Sequence, residues 1–120
     1  MPEPHPHLEH LQAIASTLNQ ALRQNQRPGM MRADPLDIQA LCVAEEAGEL
    51  VGAYRRWAGK ARRTGTKAEL EDEVADLLIV TAVFAVRADI DLNQAVTAKL
   101  AEVYRRGWRQ ECTAQPTTST

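Results

Sequence analysis

Two acidic pairs, each set inside an apolar helical stripe, constrain this chain more than any other feature. The first lies in Ala44-Glu45-Glu46-Ala47-Gly48-Glu49-Leu50, the second in Glu73-Val74-Ala75-Asp76. Both segments read as helix. An α-helix turns about 100° per residue, so residues three apart share a face. With Glu46 as the zero of a helical wheel, Ile38, Cys42, Val43, Leu50, Ala53, Tyr54 and Trp57 fall on the half that carries Glu46 and Glu49. With Glu73 as zero, Leu70, Leu77, Val80, Val83 and Phe84 share a half with Asp76. An apolar stripe is where a helix packs on its neighbours. A carboxylate placed there must neutralise or find a cation, because burying it unpaired is costly. No Lys or Arg falls in the middle of either stripe near the acids. A hard divalent cation, bound through carboxylate oxygens, is the economical partner. One such pair is common on a solvated helix face. Two pairs, both centred in apolar stripes on adjacent helices, point to a site.

The rest of the composition supports an all-α protein. Ala, Leu, Glu, Gln and Arg dominate, β-branched residues rarely alternate with polar ones, and aromatics number one Phe, two Tyr and two Trp. A chain of 120 residues is one domain by length. Its core is modest, and helices this apolar extend burial across a partner chain. A formal charge of -2 speaks against a nucleic-acid binder. The cysteines, Cys42 and Cys112, have no paired spacing and read as free thiols in a reducing compartment. The polar, Pro- and His-rich start is no signal peptide. The longest mostly apolar run, Val74 to Val86, contains Asp76 and is too short for a membrane span. The expected location is cytoplasmic.

Taken in order, the chain reads as four helices between disordered ends, with residues 1–7 and 110–120 outside a domain at 8–109. His5, His7 and His10 lie in or near a frayed terminus without the fixed geometry a metal site needs. Leu8, Leu11, Leu18 and Leu22 mark the first helix, from Leu8 to about Asn25. Met30, Met31 and Arg32 follow in a loop. Asp34 as N-cap, Pro35 in the first helical position and Asp37 in the first turn open a second helix, expected to stop at Gly59. Thr66 with Glu69 is a capping box for a third helix, running to about Ala88. That helix is apolar nearly all round from Val74, with Ala75, Leu78, Ala82 and Ala85 on the side away from the acids, so its second face is expected to pack on a partner chain. Asp91 with Gln94 caps a fourth helix from Leu92 to about Trp108. The basic loop Lys60-Ala61-Arg62-Arg63-Thr64-Gly65 reads either as a solvated connector or as cations that steer a polyphosphate toward the acids. Lys99, among the apolar residues of the fourth helix, either snorkels to solvent or reaches toward the acids or a bound phosphate.

Glu45-Glu46-Ala47-Gly48-Glu49-Leu50, then Glu69 through Leu78 with Glu73 and Asp76, then Asp89-Ile90-Asp91-Leu92 and Lys99, resemble the MazG-like nucleoside triphosphate pyrophosphohydrolases. The signature of that all-α superfamily is EExxE followed at a distance by ExxD, and the resemblance covers roughly residues 35 to 105. It implies a four-helix bundle-like MazG fold completed by oligomerisation, as a homodimer or homotetramer. It also implies hydrolysis of an NTP or dNTP between the α and β phosphates, giving a nucleoside monophosphate and pyrophosphate. The implied ion is Mg²⁺, with Mn²⁺ accepted, held by Glu46, Glu49, Glu73 and Asp76. Glu45 matches the first Glu of the motif, which implies a role in binding a further ion or in orienting the attacking water, and Glu45 or Glu49 is the candidate orienting base. Lys99 matches a phosphate-contacting lysine, and Trp57 resembles an aromatic that stacks on the base, at an offset shifted by one. The segment before the second helix departs from dCTP-preferring members, which place aromatic and His residues where Met30, Met31 and Arg32 stand. Two rivals are carried: a phosphoribosyl-ATP pyrophosphohydrolase, which shares the acidic pattern, and a non-catalytic helical dimerisation or regulatory module.

Overall fold

The computed structural model describes residues 7–24 and 35–107, and the expectations for the two termini, for Met30 to Asp34, for Cys112 and for Trp108 fall outside these. Four helices account for most of the described chain: α1 (Glu9–Gln24), α2 (Pro35–Trp57), α3 (Lys67–Arg87) and α4 (Leu92–Arg106). No strand occurs among the described residues, and no described helix is long and apolar enough to cross a membrane.

The helices start and stop where local chemistry dictates. Gly59, at φ 73°, turns the chain out of α2, with Lys60 N–H donating to the Arg55 carbonyl at 2.8 Å. A left-handed φ is cheap only for glycine. The capping box at α3 is complete: Glu69 N–H donates to Thr66 Oγ1 at 3.2 Å, and Thr66 N–H donates to Glu69 Oε2 at 3.4 Å. At α4, Asp91 Oδ1 accepts from Gln94 N–H at 2.9 Å. Each cap satisfies amides that the first helical turn leaves without a partner.

α2 and α3 form an antiparallel hairpin that carries most of the packing, and α1 lies across α3. The antiparallel register can be followed from polar contacts. Gln39 lies opposite Val80, its Nε2 donating to the Val80 carbonyl at 2.9 Å, and Glu46 lies beside Glu73. The two levels are seven residues apart on both helices, or about 10 Å.

The C-terminal half of α3 is where the core sits. Ala15, Ala82 and Val83 are buried together, with Leu11, Val86 and Leu92 packed against them. Small side chains on α1 and α3 allow the two backbones to approach. The expectation that the second face of α3 waits for a partner chain therefore needs correcting for part of its length: Ala82 packs with Ala15 of α1, and Ala85 is buried within the described chain. Toward the N-terminal half of α3, Val74 and Leu78 remain about half exposed at 49% and 52%, and on α2 Leu41 is 70% exposed.

A polar clamp closes the core end of the hairpin. Arg87 donates from Nε to Asn19 Oδ1 at 2.7 Å and from Nη1 to Gln39 Oε1 at 3.1 Å, so α3 holds α1 and α2 at once. Asn19 and Gln39 are both buried, and their polar atoms require such partners. α4 is tied chiefly to the start of α1. Gln12 donates to the Ile90 carbonyl and accepts from Leu92 N–H, both at 2.8 Å, while Asn93 Nδ2 donates to Glu9 at 3.1 Å.

Candidate metal centre

Two turns along the hairpin from the Gln39 level, three carboxylates converge. Glu46 and Glu49 come from α2 and Glu73 from α3, and each offers an oxygen within 4.8 Å of the others. The i,i+3 spacing on α2 and the antiparallel register bring them together, so no loop is needed to position them. Glu46 and Glu73 are half-buried, and Glu49 is exposed. Glu46 Oε2 and Glu73 Oε2 are shielded from solvent and have no hydrogen-bond partner among the described residues. A buried polar atom without a partner is uncommon in a folded protein and calls for an explanation.

The electrostatics reflect the same crowding. The Glu46 carboxyl is pushed above its ordinary 4.5, first by loss of solvent and then by the charges of Glu49, Asp76, Glu73 and Glu45. Glu73 is raised as well, by desolvation and then by Glu49 and Asp76, while Arg56 pulls the other way; a hydrogen bond shared with the Glu49 carboxyl adds to the rise. Like charges forced together disfavour ionisation unless a cation relieves them.

The remaining sequence-derived residues are placed unevenly. Asp76 is exposed one turn along α3, outside the group of three, though its charge reaches both Glu46 and Glu73. Glu45 is exposed and contributes least to Glu46. Lys99 is exposed on α4 with its Nζ 3.5 Å from Glu102, so its ion pair is within its own helix and not with the clustered acids. Trp57 is 46% exposed at the end of α2, its ring 6.3 Å from that of Tyr54. Lys60 lies over the Tyr54 ring at 5.7 Å.

One neighbour of the acids sits at the edge of the wheel. Arg56 lies about 80° from Glu46 on the Glu49 side of α2, outside the middle of the stripe, and its charge bears on Glu73. It also lines a cleft of about 340 Å³ with Arg63, Thr64, Glu69, Asp72 and Glu73. The signal in the sequence is Gly65. A Cβ there would meet Glu69 Oε2 at 2.7 Å and Arg56 Cβ at 2.9 Å, so only glycine lets the loop close this tightly.

The donor set suits a hard divalent cation. Such ions take carboxylate oxygens, and two of these oxygens otherwise lack partners. Residues 37–108 match the family model of the MazG nucleotide pyrophosphohydrolase domain, more than half of the 120-residue chain. The chain belongs to this family. No curated protein and no solved structure matches it. The MazG match runs from the first turn of α2 past the end of α4 and so contains the whole acidic cluster, the basic loop and Lys99. The all-helical architecture is that of a MazG domain.

Proposed function

We propose that this MazG domain is a metal-dependent pyrophosphohydrolase that cleaves a nucleoside triphosphate, ribo or deoxy, between its α and β phosphates. The observation that carries the reading is the convergence of Glu46, Glu49 and Glu73, with two shielded oxygens left without partners. Bound there, Mg²⁺, or Mn²⁺ in its place, would neutralise phosphate charge and stabilise the departing pyrophosphate.

The protein's own residues supply the rest. Glu46, Glu49 and Glu73 would hold the ion, with Asp76 completing the set from the exposed side. Glu45 or Glu49 orients a water for in-line attack at the α phosphorus and accepts its proton. The bond from the α phosphorus to the bridging oxygen breaks, and pyrophosphate leaves with that electron pair. Lys99 exchanges Glu102 for a phosphate oxygen, acting as a point charge. Trp57 offers its exposed ring to the base. The uncovered apolar side chains of α2 and α3, Leu41, Val51, Val74 and Leu78 among them, support assembly as a homodimer or homotetramer.

The deciding test is pyrophosphate release from a panel of NTPs and dNTPs with Mg²⁺ or Mn²⁺, and with EDTA as control. Metal-dependent release, abolished in Glu49→Gln and Asp76→Asn with helical circular dichroism retained, is the expected outcome. Turnover retained in both variants would overturn the site. Silence across the panel from folded protein would move the test to phosphoribosyl-ATP, and silence there would leave a non-catalytic helical module.

A further inference from the structure

The geometry points to an anion subsite beside the acidic cluster, formed by Arg56, Arg63 and Thr64, which grips the β and γ phosphates of a metal-carrying polyphosphate. This deepens the reading above and rests on it for the identity of the nucleotide, though not for the binding itself.

The subsite is built by the connection between α2 and α3. Gly65 N–H donates to the Arg56 carbonyl at 3.2 Å, which folds the loop back onto the last turn of α2. The capping box at Thr66 fixes the next residue. At the start of the loop Lys60 N–H donates to the Arg55 carbonyl at 2.8 Å, and between Lys60 and Gly65 the chain sets Arg63 and Thr64 in the lining of the cleft that also contains Arg56 and Glu73. The loop is thus short, pinned at both ends and directed at one member of the acidic cluster.

The cations in this cleft have no closed ion pairs. Among the described residues the ion pairs join Lys67 to Glu71, and Lys99 and Arg106 to Glu102; neither Arg56 nor Arg63 takes part. Arg56 Nε is shielded from solvent and lacks a hydrogen-bond partner among the described residues. Yet Glu69, Asp72 and Glu73 line the same cleft. Glu69 is committed to its cap, and Asp72 is exposed. Two guanidinium groups that line one cleft and close no ion pair with its carboxylates present a forked array of donors, the pattern that matches phosphate oxygens.

Charge selects the form of the ligand. Three carboxylates outnumber two arginines, so the cleft repels a bare phosphate. When Glu73 is engaged by a divalent cation, the balance shifts, and a polyphosphate bridging that cation and the arginines is accepted. Binding of the anion is therefore conditional on the metal. The basic loop, which the sequence left open as connector or steering element, becomes a direct contact.

The test is calorimetric titration of the full chain with inorganic pyrophosphate at fixed Mg²⁺, beside a titration with Mg²⁺ alone. Arg63→Ala removes an exposed side chain and should weaken pyrophosphate about tenfold or more, the scale expected for losing a charge-assisted contact. Its Mg²⁺ affinity and melting temperature should match the wild type. Arg56→Lys, which keeps the charge and loses the fork, should fall between the two. Wild-type protein should bind no pyrophosphate in EDTA. Equal pyrophosphate affinity in wild type and Arg63→Ala, or no binding by the wild type with Mg²⁺, would overturn the subsite. If the wild type releases pyrophosphate from nucleotides and Arg63→Ala leaves KM unchanged, the subsite fails alone. If no nucleotide or phosphoribosyl-ATP is hydrolysed while the arginine still governs pyrophosphate binding, the proposed reaction fails and the subsite stands.

Discussion

Two polar layers lie between α2 and α3, seven residues apart, and they are finished in opposite ways. At the Gln39 level a buried amide, a buried asparagine and Arg87 exchange donors and acceptors until the buried groups are paired. At the Glu46 level three acceptors face each other, two of their oxygens shielded and without donors. The helices and their register are the same, so the backbone does not cause the difference. It arises because one layer draws a cation from within the chain, and the other is all acid. A network whose members are satisfied stabilises and rigidifies, whereas one that is incomplete costs stability until something completes it. The first layer holds the hairpin to α1; the second holds it ready for a ligand.

Experiments can break this contrast, and the largest effect is expected in the satisfied layer. Arg87→Met leaves Asn19 Oδ1 and Gln39 Oε1 buried without donors, and should lower the free energy of unfolding by about 2–4 kcal/mol in urea titrations. A loss below about 0.5 kcal/mol would mean the clamp is not what ties α1 to the hairpin.

The next largest effect has the opposite sign. Glu73→Gln removes one of the crowded charges, so the metal-free protein should melt higher than wild type. The same variant should lose most of the rise in melting temperature that Mg²⁺ gives the wild type. A metal-free melting temperature that falls would show the acidic layer to be already satisfied.

A third, smaller effect lies in pH. Glu46 and Glu73 have folded-state values raised above 4.5, so between that value and their raised values the folded chain binds more protons than the unfolded one. Their contribution to stability is greatest below the unfolded value and is lost as pH rises through the folded ones. Metal-free wild type should therefore lose stability over this window relative to Glu73→Gln, and Mg²⁺ should reduce the slope. Parallel pH profiles for the two proteins would remove the coupling between these groups.

The smallest effect probes the surroundings of the acidic layer. A Cβ at Gly48 meets nothing within 4 Å in this chain. Gly48→Ala should stabilise α2 by about 0.5–1 kcal/mol, the cost of an interior helical glycine. Destabilisation instead, measured with the oligomeric state by light scattering, would mean that this face is covered by a second copy.

The satisfied layer was the harder of the two to read from sequence. Glu46, Glu49 and Glu73 stood out because acids inside an apolar stripe violate the pattern of an amphipathic helix. The helix ends followed from Thr66, Asp91 and Gly59, where capping chemistry is local, and the observed ends fall within a residue or two of expectation. Asn19, Gln39 and Arg87 violate nothing when each is read on its own helix, and only the docking of three helices makes them partners. Arg56 was passed over for a different reason. It lies at the edge of the half that carries Glu49, and only the middle of the stripe was searched for cations, although a long side chain reaches inward from the edge. The half-covered face of α3 misled in turn, because Ala82 and Ala85 were read as open to a partner chain, whereas Ala82 packs on Ala15 of α1 and Ala85 is buried without a second copy.

The antiparallel hairpin also bears on the order of folding. All the clustered acids and the loop beside them lie between residues 45 and 76 on two helices that are neighbours in the chain. Contacts of this kind close short loops and form early, ahead of the long-range docking of α1 and α4. The acidic layer is therefore expected to take shape before α1 and α4 dock, an order that φ-values for α2 and α3 against those for α1 would check. A divalent cation that binds the hairpin at that stage would speed folding as well as stabilise its product.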